Sequence, residues 1–246
     1  MNNKSKLAAL VLSLSSLAHA ATPSATDLLK SADRARGGLV NGLEWTVNIE
    51  SVEDGDKSNR TFQVRALDIN ALVQAVAPAR NKGEVFLFND HDLWFARPGL
   101  KKPVAISARQ RLTGQAANGD IASTHYSRDY SATVESKGAV NGEPVTILKL
   151  KAKDPKVTYD QIRYFVSDKR GLALKAEFMT LQGEVMKTAT FEYGNQIASG
   201  SEHFPFVSKM TIRDAKIPEN VSVIQYTDPQ VKATSPSLFN VNNLTR

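Results

Sequence analysis

The sequence predicts a mainly β protein, an antiparallel meander of about ten strands behind one N-terminal helix. Two observations carry this. From Leu43 onward apolar residues recur with a period of two, the signature of half-buried strands. Turn signals rich in Gly, Asn and Asp separate these runs at short, regular intervals.

The first element is not part of the fold. Lys4 and Lys6 precede the apolar run Leu7 to Ala18, which leads into Ala18-His19-Ala20. A basic start, a short apolar stretch and a small-x-small site make a secretory signal peptide over residues 1–20. The run is too short to span a bilayer, which needs about 20 apolar residues. No cysteine follows the cleavage site to carry a lipid. The mature chain, residues 21–246, is therefore expected to be exported, soluble and not membrane-spanning.

Thr22 to Gly38 reads as a helix. Ser24 or Thr26 caps it, Asp27 suits the first turn, and Leu28, Leu29, Ala32 and Ala35 form one stripe before Gly37-Gly38. Leu43, Trp45, Val47 and Ile49 then alternate with polar residues, as do Phe62, Val64 and Ala66 beyond the Glu53-Asp54-Gly55-Asp56 turn, giving a hairpin. Ile69, Leu72, Val73 and Val76 fall at helical spacing and predict a short helix ended by Pro78. Val85–Phe88 and Leu93–Ala96 flank a turn at Asn89-Asp90-His91-Asp92. The Gly-punctuated stretch from Arg109 to Asp120 is too polar for a core strand and reads as a loop with short helical turns. Further strands are expected at 131–135, 146–152, 161–167, 173–180, 186–193, 209–214 and 221–226, with turns at Asn141-Gly142, Asp168–Gly171, Gln182-Gly183 and Gly194-Asn195. The tail from Ser235 carries Leu238, Phe239, Val241 and Leu244 and is expected to dock as an edge segment. No repeat or linker divides the run, so residues 21–246 form one domain.

Composition narrows the function. Beyond residue 20 the chain has 29 basic and 25 acidic residues, a net charge of +4. Charges of both signs are interspersed, which argues against a nucleic-acid stripe; the surplus is modest and reads first as an ordinary soluble basic surface, and only secondly as suited to anionic lipid headgroups or acidic partner faces. With no cysteine there is neither a disulfide nor a thiolate site. His91, with its neighbouring carboxylates, reads as a hairpin turn rather than a metal site, because the ligands do not come from separate elements. His125 and His203 have no spacing partner. No nucleophile elbow, His-Glu-x-x-His or phosphate loop is present, and Asn118-Gly119-Asp120 lacks the alternating oxygens and closing Glu of a calcium loop. The sequence predicts no enzyme, no metal and no cofactor.

What stands out is an aromatic surplus on the strands. Trp45, Phe62, Phe86, Phe88, Trp94, Phe165, Phe178 and Phe191, with Val47 and Val64, are assigned to one inner face, where they either fill an ordinary core or, as expected here, line an apolar cavity that binds ligand. A single sheet needs a cover for that face. The available covers are the first helix, the 69–77 segment and the 104–120 loop. A curved sheet closed by such elements can hold an apolar cavity.

The segments Pro78-Ala79-Arg80-Asn81-Lys82-Gly83, Asp92-Leu93-Trp94-Phe95-Ala96-Arg97-Pro98 and Ile106-Ser107 resemble the outer-membrane lipoprotein-sorting protein family. So do Gln110-Arg111-Leu112-Thr113-Gly114, Asn118-Gly119-Asp120-Ile121-Ala122, Asp129-Tyr130 and, further on, Val157-Thr158-Tyr159, Lys175-Ala176-Glu177 and Val221-Ser222 with Tyr226. The likeness is to periplasmic carriers of the LolA/LolB kind. It implies an incomplete antiparallel β-barrel with short lid helices over an apolar cavity. It also implies a monomeric carrier that shields lipoprotein acyl chains, or a related lipid, beside an inner-membrane transporter of ABC or RND type. On this reading Arg109, Arg111, Leu112, Gly114, Asn118, Gly119 and Asp120 belong to the lid. The competing readings are an accessory domain docked on an inner-membrane exporter, and a lipid hydrolase relying on one of the histidines.

Overall fold

In a computed structural model, residues 23–38, 42–122 and 125–244 are described. The expected signal peptide lies outside them. Helix α1 (Ala25–Arg34) begins where the Ser24 hydroxyl accepts a hydrogen bond from the Asp27 N–H at 3.2 Å and the Asp27 carboxylate accepts the Ser24 N–H at 3.3 Å. This reciprocal cap fixes the start. The helix ends at Arg34, four residues before the expected Gly38, gives way to a turn at Ala35–Gly37, and buries Leu28, Leu29, Ala32 and Asp33.

The strands follow as β1 (Leu43–Glu53), β2 (Asp56–Leu67), β3 (Asn70–Ala77), β4 (Val85–Asn89), β5 (Asp92–Ala96) and β6 (Val104–Ile106). Next come the short pair β7 (Arg111–Thr113) and β8 (Ala116–Ala117), a 3₁₀ turn at Asn118–Ile121 and helix α2 (Tyr126–Asp129). The second half comprises β9 (Tyr130–Val140), β10 (Glu143–Ala152), β11 (Gln161–Ser167), β12 (Ala173–Met179), β13 (Val185–Glu192), the hairpin β14 (Asn195–Ser199) and β15 (Glu202–Phe206), β16 (Lys209–Asp214) and β17 (Val221–Val231).

Thirteen of these strands form one antiparallel sheet in the order β6-β5-β4-β3-β2-β1-β17-β16-β13-β12-β11-β10-β9. The first and last strands pair, Ile49 opposite Ile224. Strands β6 and β9 remain edges, so the barrel is incomplete, as the resemblance implies. The segment 107–129, which carries β7, β8 and α2, connects those two edges as a strap.

Alternation places the core. In β1, Leu43, Trp45, Val47 and Ile49 are buried while Glu44, Thr46 and Asn48 are half-buried. The inner face so formed packs against α1, α2 and the strap through Leu29, Ile121, Tyr126 and Phe178, among others. Each fully buried aromatic or aliphatic side chain contributes about 1.5–3 kcal/mol relative to exposure.

Two expectations are corrected. Residues 69–77 are no helix but strand β3, with Ala71, Val73 and Ala75 facing the main core and Leu72 facing outward. Both faces are apolar because the tail covers the outer one: Leu72, Leu87 and Phe239 form a second cluster, joined by Trp94, Leu238, Val241 and Leu244. A strand buried on both sides loses its alternation. The second correction concerns Trp94 and Phe165. Trp94 packs in this outer cluster, and Phe165 packs in a third one with Val145 and Leu174. Neither side chain shares the inner face.

Candidate functional site

Of the ten residues expected to line a ligand cavity, eight pack together in the main core, Trp45, Val47, Phe62, Val64, Phe86, Phe88, Phe178 and Phe191, and only Phe86 also lines the groove described below. The space beneath the lid is occupied by the chain itself. Arg36, directly after α1, is 2 % exposed, and its guanidinium carbon lies 4.9 Å from the Phe191 ring centroid and 5.0 Å from that of Tyr126. Its Nη1 donates to the Tyr164 hydroxyl at 3.4 Å. Tyr126 stacks edgewise on Tyr130 and Tyr164, at 5.1 and 5.4 Å between centroids. The Tyr159 hydroxyl donates to both oxygens of buried Asp120, at 3.0 and 2.9 Å. Burial raises the carboxyl pKa of Asp120 and holds the Tyr159 phenol well above its ordinary range. The middle of the barrel is thus a polar-aromatic plug centred on a guanidinium.

An open groove of about 480 Å³, with a mixed polar and apolar lining, lies where the strap crosses the sheet. Phe86 of β4, Phe95 of β5, Ile106 of β6 and Leu112 of β7 supply its apolar lining. Arg60 of β2 and Glu84 line the same groove and are ion-paired. Arg60 also donates through Nη1 to the Leu112 carbonyl at 3.3 Å, which ties the strap to the sheet. Its Nε is buried and finds no acceptor among the described residues. Burial lowers the Arg60 pKa, with Glu84 opposing the shift. From the groove an aromatic row leads inward: Phe95 to Phe86 at 5.1 Å, then Phe86 to fully buried Phe62 at 6.2 Å. The groove lies in the size range of small-molecule sites, about 300–1,000 Å³. Its Phe86, Phe95, Ile106 and Leu112 side chains can cover a stretch of apolar chain.

Another opening, of about 270 Å³, lies on the outer face and is polar. There Glu44 engages both Arg65 (3.1 Å) and Lys232 (2.9 Å).

The expected lid residues divide in two. Arg111, Leu112 and Asn118 line the groove beside Phe86. The others anchor the strap. Gly114, at φ +50°, rests so closely on Ser51 and Ser222 that a Cβ would stand 2.5 Å from Ser51 Cβ. The Gln115 N–H donates to the Ser222 hydroxyl at 2.8 Å. Gly119 faces Thr158 with no room for a side chain. Arg109 pairs with Asp160 at 2.7 Å. Arg36, Arg60 and Glu84 were not singled out by the sequence, and Phe95, Ile106 and Gln110 stood in the segments of family resemblance without being assigned to the site. For Phe95 a signal existed: it shares the parity of Leu93, and Leu93 faces the main core.

Asn89–Asp92 is a turn, with Asp90 at φ +55°. His91 Nε2 lies 3.1 Å from Asp129 Oδ1, joining the β4–β5 turn to α2. His125 precedes α2, and His203 is exposed on β15. Among the described residues no three His, Asp or Glu side chains converge as metal ligands, and no helix is long and apolar enough to cross a membrane.

The fold is an open antiparallel barrel, roofed by a helix and a strap, with a groove where the strap crosses the sheet. A family model described only as that of an uncharacterized protein matches residues 68–246, and the chain belongs to that family. No curated protein matches it. Among solved structures, the LolA superfamily protein NE2245 from Nitrosomonas europaea is 28 % identical, with a TM-score of 0.79 over 89 % of this chain and 98 % of that one. An outer membrane lipoprotein-sorting protein domain from Vibrio parahaemolyticus is 19 % identical, at TM-score 0.75 over 90 % and 98 %. A DUF1329 family protein from Desulfovibrio piger is 16 % identical, at TM-score 0.74 over 89 % and 97 %. The fold is therefore LolA-like.

Proposed function

We propose that this protein is a periplasmic carrier that takes an acyl chain of a lipoprotein, or of a related lipid, into the groove beneath its strap. The observation that carries the reading is the aromatic row from Phe95 through Phe86 to Phe62, which continues the groove into the core. Each CH₂ withdrawn from water contributes about 0.8 kcal/mol, so a free acyl chain needs such a shield to cross an aqueous compartment. The likeness to the Nitrosomonas and Vibrio structures supports the same role. The reading assigns no catalytic role to any residue.

One observation favours a second reading, an accessory domain that docks on an inner-membrane exporter without carrying cargo. The Arg36 plug fills the barrel, so a chain longer than the groove must displace it. Native mass spectrometry of the mature chain purified from the periplasm separates the two. Co-purifying acyl species support the carrier. Repeated preparations free of lipid, recovered with an inner-membrane complex, support the accessory domain.

A further inference from the structure

One end of the sheet carries two neighbouring turns of unusual composition. Residues 78–84 join β3 to β4, and residues 97–103 join β5 to β6. The antiparallel order β6-β5-β4-β3 puts both at the same end. The turns touch: a Cβ on Gly83 would stand 3.0 Å from Pro98 Cγ. The first holds Arg80 and Lys82, the second Arg97, Lys101 and Lys102, and all five are exposed. None forms an ion pair among the described residues. The one acid in the two turns, Glu84, is already engaged by Arg60 and by the Asn81 amide at 2.8 Å. The next turn along this end of the sheet, between β1 and β2, is acidic, with Glu53, Asp54 and Asp56, so the basic surplus is confined to the two turns.

Exposed apolar side chains flank the same turns. Val76, just before the first, is 37 % exposed, and Val104, just after the second, is 48 % exposed. Glu84, the last residue of the first turn, and Ile106, just beyond the second, line the groove. Free cations, exposed valines and a groove mouth therefore share one corner of the molecule.

We infer that the paired turns 78–84 and 97–103 form a docking surface for an anionic lipid bilayer. Unpaired Lys and Arg are drawn to the negative surface potential of anionic lipid, and their long aliphatic stems lie well among headgroups. Val76 and Val104 add apolar contact at the interface. Docking through this corner brings the groove mouth to the membrane. A soluble acidic protein or a nucleic acid would use the charges without needing the valines.

The test is co-flotation of the mature protein with vesicles of phosphatidylcholine alone, and with vesicles in which about one third is phosphatidylglycerol. The protein is expected to float with the anionic vesicles only, and to be released at 1 M salt, where the Debye length is about 3 Å. Each basic residue near such a surface contributes about fivefold to partitioning. Arg80→Glu, Lys101→Glu and Lys102→Glu together should therefore weaken binding by at least about tenfold, and Val104→Asp should weaken it further. Failure of the wild type to float, equal flotation of the triple variant, or a preference for a single-stranded oligonucleotide over the vesicles would overturn the inference. An acyl-probe titration on the same variants keeps this test separate from the carrier reading, because probe binding in solution does not require the docking surface.

Discussion

The guanidinium of Arg36 sits over the ring of Phe191, 4.9 Å from its centroid, in the middle of the barrel. A charge so placed is tolerated because aromatic faces, a tyrosine hydroxyl and nearby buried carboxylates surround it. It links α1 to strands on the far side of the sheet and makes the closed lid a specific arrangement.

Arg36→Leu should therefore lower the free energy of unfolding by about 3 kcal/mol, because Asp33 and Asp120 lose their counter-charge in a dry interior. Arg36→Lys should recover little, since an ammonium cannot lie flat on two rings. Urea unfolding reads both. A lysine variant as stable as the wild type would show that charge alone matters there.

Asp33 joins the two helices: its carboxylate accepts the N–H of Tyr126 at 3.1 Å and of Ser127 at 2.8 Å. Burial pushes its pKa up to about 6 from 3.8, against the pull of those bonds and of Arg36. Between the two values the native chain holds a proton that the unfolded chain has lost. Stability at this site therefore falls as pH rises from about 4 to 6, by at most on the order of 3 kcal/mol. Asp33→Asn should flatten that part of the stability–pH curve. An unchanged slope in the variant would remove Asp33 as its source.

The tail contributes from outside. Phe239 is buried against Leu72, Leu87 and Trp94, and its carbonyl accepts a hydrogen bond from Asn89 at 3.1 Å. Phe239→Ala should cost about 3 kcal/mol in denaturant unfolding. Because this cluster lies on the face opposite the groove, acyl-probe affinity should stay unchanged. A large loss of affinity with little loss of stability would place ligand contacts on the wrong face.

Most strands and turns were legible because one face of most strands is wet and alternation survives. That signal failed where both faces are dry. In β3, Leu72 under the tail and Val73 in the core are both apolar, and together with Ile69 and Val76 they imitate a helix. Aromatic character misled where parity would have served: Phe165 neighbours inward-facing Tyr164 and Val166, and so must point outward. The strap was legible as irregular chain. Its seats at Ser51, Ser222 and Thr158 were not, because these contacts join residues more than thirty positions apart. Arg36 followed the helix as an ordinary basic residue, and only the folded chain brings the tyrosines to it.

The most direct test of the carrier account is a titration of the mature protein with a fluorescent long-chain acyl probe, alongside Leu112→Trp, which fills the groove. The account predicts saturable binding by the wild type and a loss of at least about tenfold in the variant at unchanged melting temperature, since about 1.4 kcal/mol corresponds to one decade. No binding by the wild type, or equal binding by a correctly folded Leu112→Trp protein, would contradict it.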